Sequence, residues 1–188
     1  MASATVSPDG RWLFTVSHSG IGKLWNAQTG ELVKQVIEVM GPGPSFTNDG
    51  RWLISAGIRG YVMNTETWEA VRPIHAIAVA CAPDSRLMAE LIESGVRLVE
   101  LTTGEEIAFL ERPDFENMSG VAFSPDGTSL LVQHLKRGIE IWDLRMIREQ
   151  LKEMNLDWKW PEFPPDPSGN PASTPAIRLR LHDESARF

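Results

Sequence analysis

Short apolar segments recur along the first 143 positions, and each is bounded by residues that favour tight turns. Val121–Phe123 and Leu130–Val132, for example, flank the sequence Ser124–Thr128. Apolar runs of this length between Pro, Asp and Gly are typical of β-strands joined by turns, because helices need longer segments with a period near 3.6. The pattern therefore predicts a chain of short antiparallel strands.

The turn sequence occurs four times, which makes it an internal repeat. Its aspartates lie 40, 35 and 42 residues apart, close to the length of one blade of a β-propeller. Pro presets φ for a β-turn, Asp tolerates the next position, and Gly accepts the left-handed conformation that follows. The residues predicted to form these structural turns are Pro8, Asp9, Gly10, Asp49, Gly50, Pro83, Asp84, Pro125, Asp126 and Gly127.

A second repeated segment begins about 14 residues after each turn aspartate and predicts a third strand in every unit. These third strands are Lys23–Asn26, Tyr61–Asn64, Arg97–Glu100 and Glu140–Asp143. A fourth strand follows in the first three units, at Leu32–Val36, Ala70–Arg72 and Ile107–Leu110. Each of the first three units is thus predicted to be a four-stranded meander, and the fourth unit lacks its outer strand. The fold class is therefore all-β, either propeller blades or a related all-β repeat.

The fourth unit carries the clearest family resemblance. Its segments Val121–Gly127 and Ile139–Asp143 are similar to repeats of the WD-repeat family, in which Trp and Asp close the third strand. The pair stands here as Trp142 and Asp143, and the first unit has Trp25 and Asn26. The resemblance implies four β-propeller blades that form part of a propeller, since such rings have about four to eight blades. The end of the repeat region also resembles that of large bacterial multidomain WD-repeat proteins.

The hydrophobic period changes after Asp143. Leu144, Ile147, Leu151 and Met154 follow helical spacing, and Asp143 is a suitable N-cap. An extended Pro-rich stretch comes next, and we expect it to fold back as a cap over an apolar surface of the propeller. The capping aromatic residues are Trp158, Trp160 and Phe163. The predicted domains are four WD-like blades over 1–143, a helix and capping segment over 144–165, and a flexible tail over 166–188.

Charge and composition exclude several classes of function. The net charge is −7, which argues against a nucleic-acid partner because such surfaces are basic. No apolar stretch approaches the length of a membrane span, so we expect no membrane partner. One cysteine excludes an internal disulfide. A cytoplasmic setting follows as the expectation.

Candidate chemistry is sparse, and we expect no catalytic residue, no cofactor and no metal. The repeated aspartates are explained by turn chemistry, whereas acid–base catalysis needs an asymmetric pair. His18 and His134 stand before equivalent third strands and could converge on a metal, but no metal-ligand spacing supports such a site. Cys81 ends a predicted strand with no base near it in sequence, which favours a buried structural thiol.

The function expected from these features is a non-catalytic scaffold that binds another protein, whose identity the sequence does not give. The alternative is a sensing or regulatory appendage of a larger signalling enzyme such as a bacterial Ser/Thr kinase, although this chain contains no kinase motif. A third interpretation is that the chain is a propeller enzyme, such as a hydrolase.

Four blades also predict two open apolar faces and hence possible self-association. We expect the free face of the first blade near Trp12, Phe14 and Trp25, and the helix with its aromatics over the face of the fourth. Trp12 and Trp52 share a repeat position, which indicates either packing between blades or a shared aromatic patch.

Overall fold

A computed structural model describes residues 3–37, 43–111, 118–135, 138–158 and 160–163 of the chain. Within those residues the chain forms four antiparallel sheets, one for each predicted unit, and one helix.

Blade 1 comprises β1 Ser3–Val6, β2 Trp12–Val16, β3 Ile21–Asn26 and β4 Leu32–Ile37. Blade 2 comprises β5 Ser45–Phe46, β6 Trp52–Ser55, β7 Gly57–Asn64 and β8 Ala70–Ala76. Blade 3 comprises β9 Ala78–Cys81, β10 Leu87–Ile92, β11 Gly95–Glu100 and β12 Glu106–Glu111. Blade 4 comprises β13 Met118–Phe123, β14 Ser129–His134 and β15 Gly138–Asp143, followed by α1 Leu144–Glu153.

The predicted fold class is confirmed. Each sheet is a meander in which consecutive strands pair antiparallel. First strands of neighbouring blades contact each other, β1 with β5 and β9 with β13, as they do where propeller blades converge on their axis. Blade 4 has three strands among the described residues, and α1 follows where the other blades have their fourth strand.

The repeated turns adopt the conformation that their sequence predicts. Gly10, Gly50 and Gly127 have φ of 70°, 71° and 73°, which a residue with a Cβ adopts only with strain. The third turn has Ser85 at this position, with φ of 58°. Ser85 is buried, and its hydroxyl accepts a hydrogen bond from the Asp49 amide at 3.2 Å. That contact with blade 2 helps to hold a conformation that glycine would adopt freely.

The hydrophobic core lies between the blades. Strand side chains alternate between the two faces of a sheet, so each blade has a leading face toward the preceding blade and a trailing face toward the following one. Cross-strand pairs on three trailing faces are Phe14 with Leu24, Ile54 with Val62, and Ala89 with Leu98. The leading-face pairs that pack on them are Leu53 with Met63, Met88 with Val99, and Leu130 with Trp142.

The expected composition of the first blade's free face was partly wrong. Phe14 is 0% exposed and packs with Trp12 in the cluster between blades 1 and 2. Trp12 also meets Trp68 of blade 2 edge-to-face, with ring centroids 5.3 Å apart. Trp52 packs in the next cluster, between blades 2 and 3. The shared tryptophan position therefore serves packing between blades, and of the three residues expected on the free face only Trp25 lies there.

The helix and the aromatic residues after it pack where blades 3 and 4 meet. Leu144 and Trp158 are buried in that cluster, and Trp160 and Phe163 are partly buried against it. The Arg86 guanidinium of blade 3 lies 5.1 Å from the Trp160 ring centroid. The segment thus contacts the trailing side of blade 3, whereas the sequence suggested a cover over the free face of blade 4. The predicted tail over 166–188 lies outside the described residues.

Candidate functional site

One end of the blades carries the repeated turns, and we call it the turn end. The β1–β2 and β3–β4 turns of a meander lie at the same end because successive strands reverse direction. The turn end comprises residues 7–11, 27–31, 47–51, 65–69, 82–86, 101–105 and 124–128. All of the sequence-predicted turn residues lie here.

Each turn aspartate is the acceptor that fixes its own turn. Asp9 Oδ1 accepts hydrogen bonds from Ser7 Oγ at 2.5 Å and from the Arg11 amide at 3.0 Å. Asp49 repeats this arrangement with Thr47 Oγ1 at 2.5 Å, and Asp126 repeats it with Ser124 Oγ at 2.6 Å. These side-chain hydrogen bonds hold the pKa values of Asp9 and Asp126 below the usual range of an aspartate. A carboxylate held ionised in this way suits a structural role better than proton transfer at neutral pH.

The residue that ends the third strand plays a second repeated role. Asn26 Oδ1 accepts from the Gln28 and Thr29 amides at 2.9 and 3.1 Å and closes the turn to β4. Glu100 Oε2 closes the equivalent turn in blade 3 through the Thr102 and Thr103 amides at 2.8 and 2.6 Å. In blade 4 the acceptor is Asp143, which receives a hydrogen bond from the Met146 amide at 3.0 Å and caps α1. The same acceptor position thus closes a hairpin in one blade and begins a helix in another.

Turns of neighbouring blades touch, so the turn end is one continuous surface. A Cβ placed on Gly50 of blade 2 would lie 3.6 Å from Pro8 of blade 1. Between blades 3 and 4, a Cβ on Gly127 would lie 3.2 Å from Pro83. Such a Cβ contact is tight for Gly127, so this close approach between turns is a second reason for glycine there.

Exposed arginines follow the turn aspartates in the first three blades, at Arg11, Arg51 and Arg86. The Arg11 guanidinium lies 5.5 Å from the Trp12 ring centroid and 3.8 Å from Asp9, with most of its side chain in solvent. Arg86 of blade 3 contacts Trp160, as described above. The exposed turn-end arginines of blades 1 and 2 are Arg11 and Arg51. Guanidinium groups on a rigid surface are suited to carboxylates and aromatic rings of a partner protein.

The other candidate residues lie apart from the turn end or have structural surroundings. His134 is buried, and its Nε2 lies 3.3 Å from Glu140 Oε2, whereas His18 is exposed in the β2–β3 turn of blade 1. Across the described ranges, no three His, Cys, Asp or Glu side chains lie close enough to hold a metal ion. Burial, with the charges of Asp84 and Asp49, raises the pKa of Cys81 to about 12. A thiol with so high a pKa is a poor nucleophile at neutral pH.

Two charged groups that the sequence did not single out help to hold the structure together. Arg148 of α1 is buried, and its guanidinium donates to Asp157 Oδ1 at 2.8 Å and to the Pro161 carbonyl at 2.6 Å. Glu90 of blade 3 is 1% exposed and binds Arg72 of blade 2 at 2.9 Å and Arg97 at 2.5 Å. Nothing in the sequence distinguishes Arg148 and Glu90 from charged residues on a surface, because their burial depends on partners elsewhere in the chain.

Comparison with known proteins agrees with the blade geometry. The family model described as "WD domain, G-beta repeat" matches residues 2–26, which span the first three strands of blade 1. Blade 1 therefore matches a WD repeat, and the four sheets have the arrangement of β-propeller blades. No curated protein matches the chain.

Among solved structures, the chain is similar to one titled "Kuenenia stuttgartiensis Hydrazine Synthase". The sequence identity is 18% and the TM-score is 0.63, over 76% of this chain and 46% of that one. The chain therefore spans less than half the length of that structure, and at this identity the likeness concerns the fold alone. In the described part of the chain, no helix combines the length and apolar character that a membrane span needs.

Proposed function

We propose that this WD-repeat chain is a scaffold that binds another protein at the turn end of its blades, without catalysing a reaction. The observation that carries the proposal is the continuous row of turns, each with an aspartate that accepts a hydrogen bond from a backbone amide of its own turn, and each touching its neighbour. WD repeats generally mediate contacts between proteins, which supports this use of the surface. The alternative role, as an appendage of a signalling kinase, stays a prediction, because no comparison names such an enzyme.

Rigidity is what suits the turn end to binding. A partner that docks on preformed turns does not have to order them, so less conformational entropy opposes binding. Arg11 and Arg51 provide two guanidinium groups at equivalent positions of adjacent blades. Arginine is enriched among the residues that dominate the energy of protein interfaces.

Affinity capture with the tagged full chain tests the proposal, using a lysate of the organism that encodes it. The test variant combines Arg11→Glu with Arg51→Glu, and the control is Glu93→Lys, a charge reversal in the exposed β10–β11 turn at the opposite end. We expect a protein that the wild type and the control retain, and that the double variant loses at least tenfold. Equal capture by all three chains, or no specific capture by the wild type, would contradict the proposal.

A further inference from the structure

Two faces of the described chain lack the neighbour that every other blade face has. On the leading face of blade 1, Val6, Leu13, Trp25 and Leu32 form one cross-strand row over all four strands. Val6 and Leu32 are 56% and 48% exposed, and Leu13 and Trp25 are half-buried. An apolar row of this size on a surface indicates a site of association.

The trailing face of blade 4 is the second open face. Ala122, Leu131 and Ile141 form its cross-strand row, and Ile139 lies beside them on the same face. Ala122 and Ile139 are exposed, while Leu131 and Ile141 are half-buried. The described residues of α1 and the aromatic segment pack toward blade 3 and not over this row.

Equivalent positions in the other blades show what kind of surface packs on each of the two open faces. Leu13 and Trp25 occupy the positions that Leu53 with Met63 and Met88 with Val99 occupy in blades 2 and 3, where a trailing face buries them. Leu131 and Ile141 occupy the positions of the trailing-face pairs of blades 1 to 3, which are almost fully buried under a leading face. The chain therefore carries both halves of an interface that it already forms three times within itself.

We infer that two copies of this chain associate head to tail, with the leading face of blade 1 in one copy on the trailing face of blade 4 in the other. Two such contacts, related by a two-fold axis, close the assembly. With the four described blades in each copy, the closed ring has eight blades, at the upper end of the range of about four to eight for propellers, whereas three copies would exceed it. This association uses the blade faces and does not depend on the proposed binding at the turn end.

Light scattering after size-exclusion chromatography tests the association with the purified full chain. We expect a mass about twice the chain mass of 20.9 kDa at micromolar concentration. The leading-face variant combines Val6→Glu with Leu32→Glu, and the trailing-face variant combines Ala122→Glu with Ile139→Glu. These side chains are exposed in the single chain, so each variant should fold, which circular dichroism checks. Each variant alone should show half the wild-type mass.

Mixing the two variants distinguishes head-to-tail association from other dimers. One unaltered leading face then meets one unaltered trailing face, so part of the mixture should return to the mass of two copies. A matched control is Val71→Glu, an equally exposed apolar position on β8 of blade 2, which should keep the wild-type mass. A monomeric wild type, a mass that grows beyond two copies with concentration, or dissociation by only one of the two variants would each overturn the inference.

Discussion

At the scale of single residues, one hydrogen-bonding arrangement recurs in each blade. An oxygen acceptor near the end of a strand binds backbone amides of the next residues and fixes the chain reversal, as Asp9 and Asn26 do in blade 1. This arrangement needs a side-chain oxygen acceptor at a defined offset, and little else in the surroundings. It therefore survives wide variation in the strands that the turns connect.

A substitution of Asp143 measures how much this arrangement contributes to the free energy of unfolding. Replacing Asp143 with Ala should lower the free energy of unfolding by about 1 kcal/mol, because the Met146 amide loses its acceptor at the start of α1. Asp143→Asn is the matched control and should stay near the wild type, since asparagine also caps helices well. Urea denaturation gives both values, and an equal loss in both variants would argue for a role of the negative charge instead.

Cys81 should react slowly in the folded chain. With a pKa of about 12, its thiolate fraction at pH 8 falls on the order of a thousandfold below that of a free cysteine. Because it is the single cysteine of the chain, alkylation with iodoacetamide followed by mass spectrometry reports on it alone. We expect very slow labelling of the native protein and rapid labelling in urea. Similar rates in the two conditions would show that the thiol is not protected.

At the scale of elements, α1 stands where blade 4 would otherwise continue. Its residues Leu144, Ile147 and Leu151 face the cluster between blades 3 and 4. Buried Arg148 then ties the helix to the chain that follows it through Asp157. The aromatic residues after the helix are thus part of the core between blades 3 and 4 and do not form a loose peptide.

Removal of Trp158 tests that packing. Trp158 is 7% exposed, and Trp158→Ala should cost about 3–5 kcal/mol of stability, as truncation of buried large aromatics does. Trp160→Ala should cost less, because Trp160 is only partly buried. Leu156→Ala is the control, since Leu156 is 64% exposed and should change stability by less than about 0.5 kcal/mol. A thermal melt that Trp158→Ala leaves unchanged would rule out the buried position.

At the scale of the whole molecule, the blades are held together by contacts between faces. Three apolar clusters lie between successive blades, and one buried charge group joins blades 2 and 3. Since each blade buries its core only against a neighbour, no blade has a complete core of its own. The stability of the molecule therefore depends on the neighbours that each face meets.

The carboxylate of Glu90 tests this dependence between blades. Glu90→Ala should lower the free energy of unfolding by about 3–5 kcal/mol, because it leaves the largely buried Arg72 guanidinium without its counterion. Glu90→Gln should lose less, since it retains the side-chain shape and a hydrogen-bond acceptor. Glu66→Ala, in an exposed turn of blade 2, is the control and should leave stability nearly unchanged. Chemical denaturation that gave equal losses for Glu90→Ala and Glu66→Ala would contradict this account.

Local residue patterns were sufficient to predict the blades and their turns, whereas packing between blades fixes which faces are covered. Turn chemistry is local, so Pro, Asp and Gly at fixed spacing were enough to predict four meanders, and Asp143 was enough to predict the start of α1. In blade 1, however, Leu13 and Phe14 are consecutive and point to opposite faces, both apolar. Alternation therefore gave no means to tell that Phe14 meets blade 2 while Leu13 stays on the free face. The burial of Glu90 and the position of Trp158 likewise depend on residues distant in the chain, which only the packing of whole blades brings together.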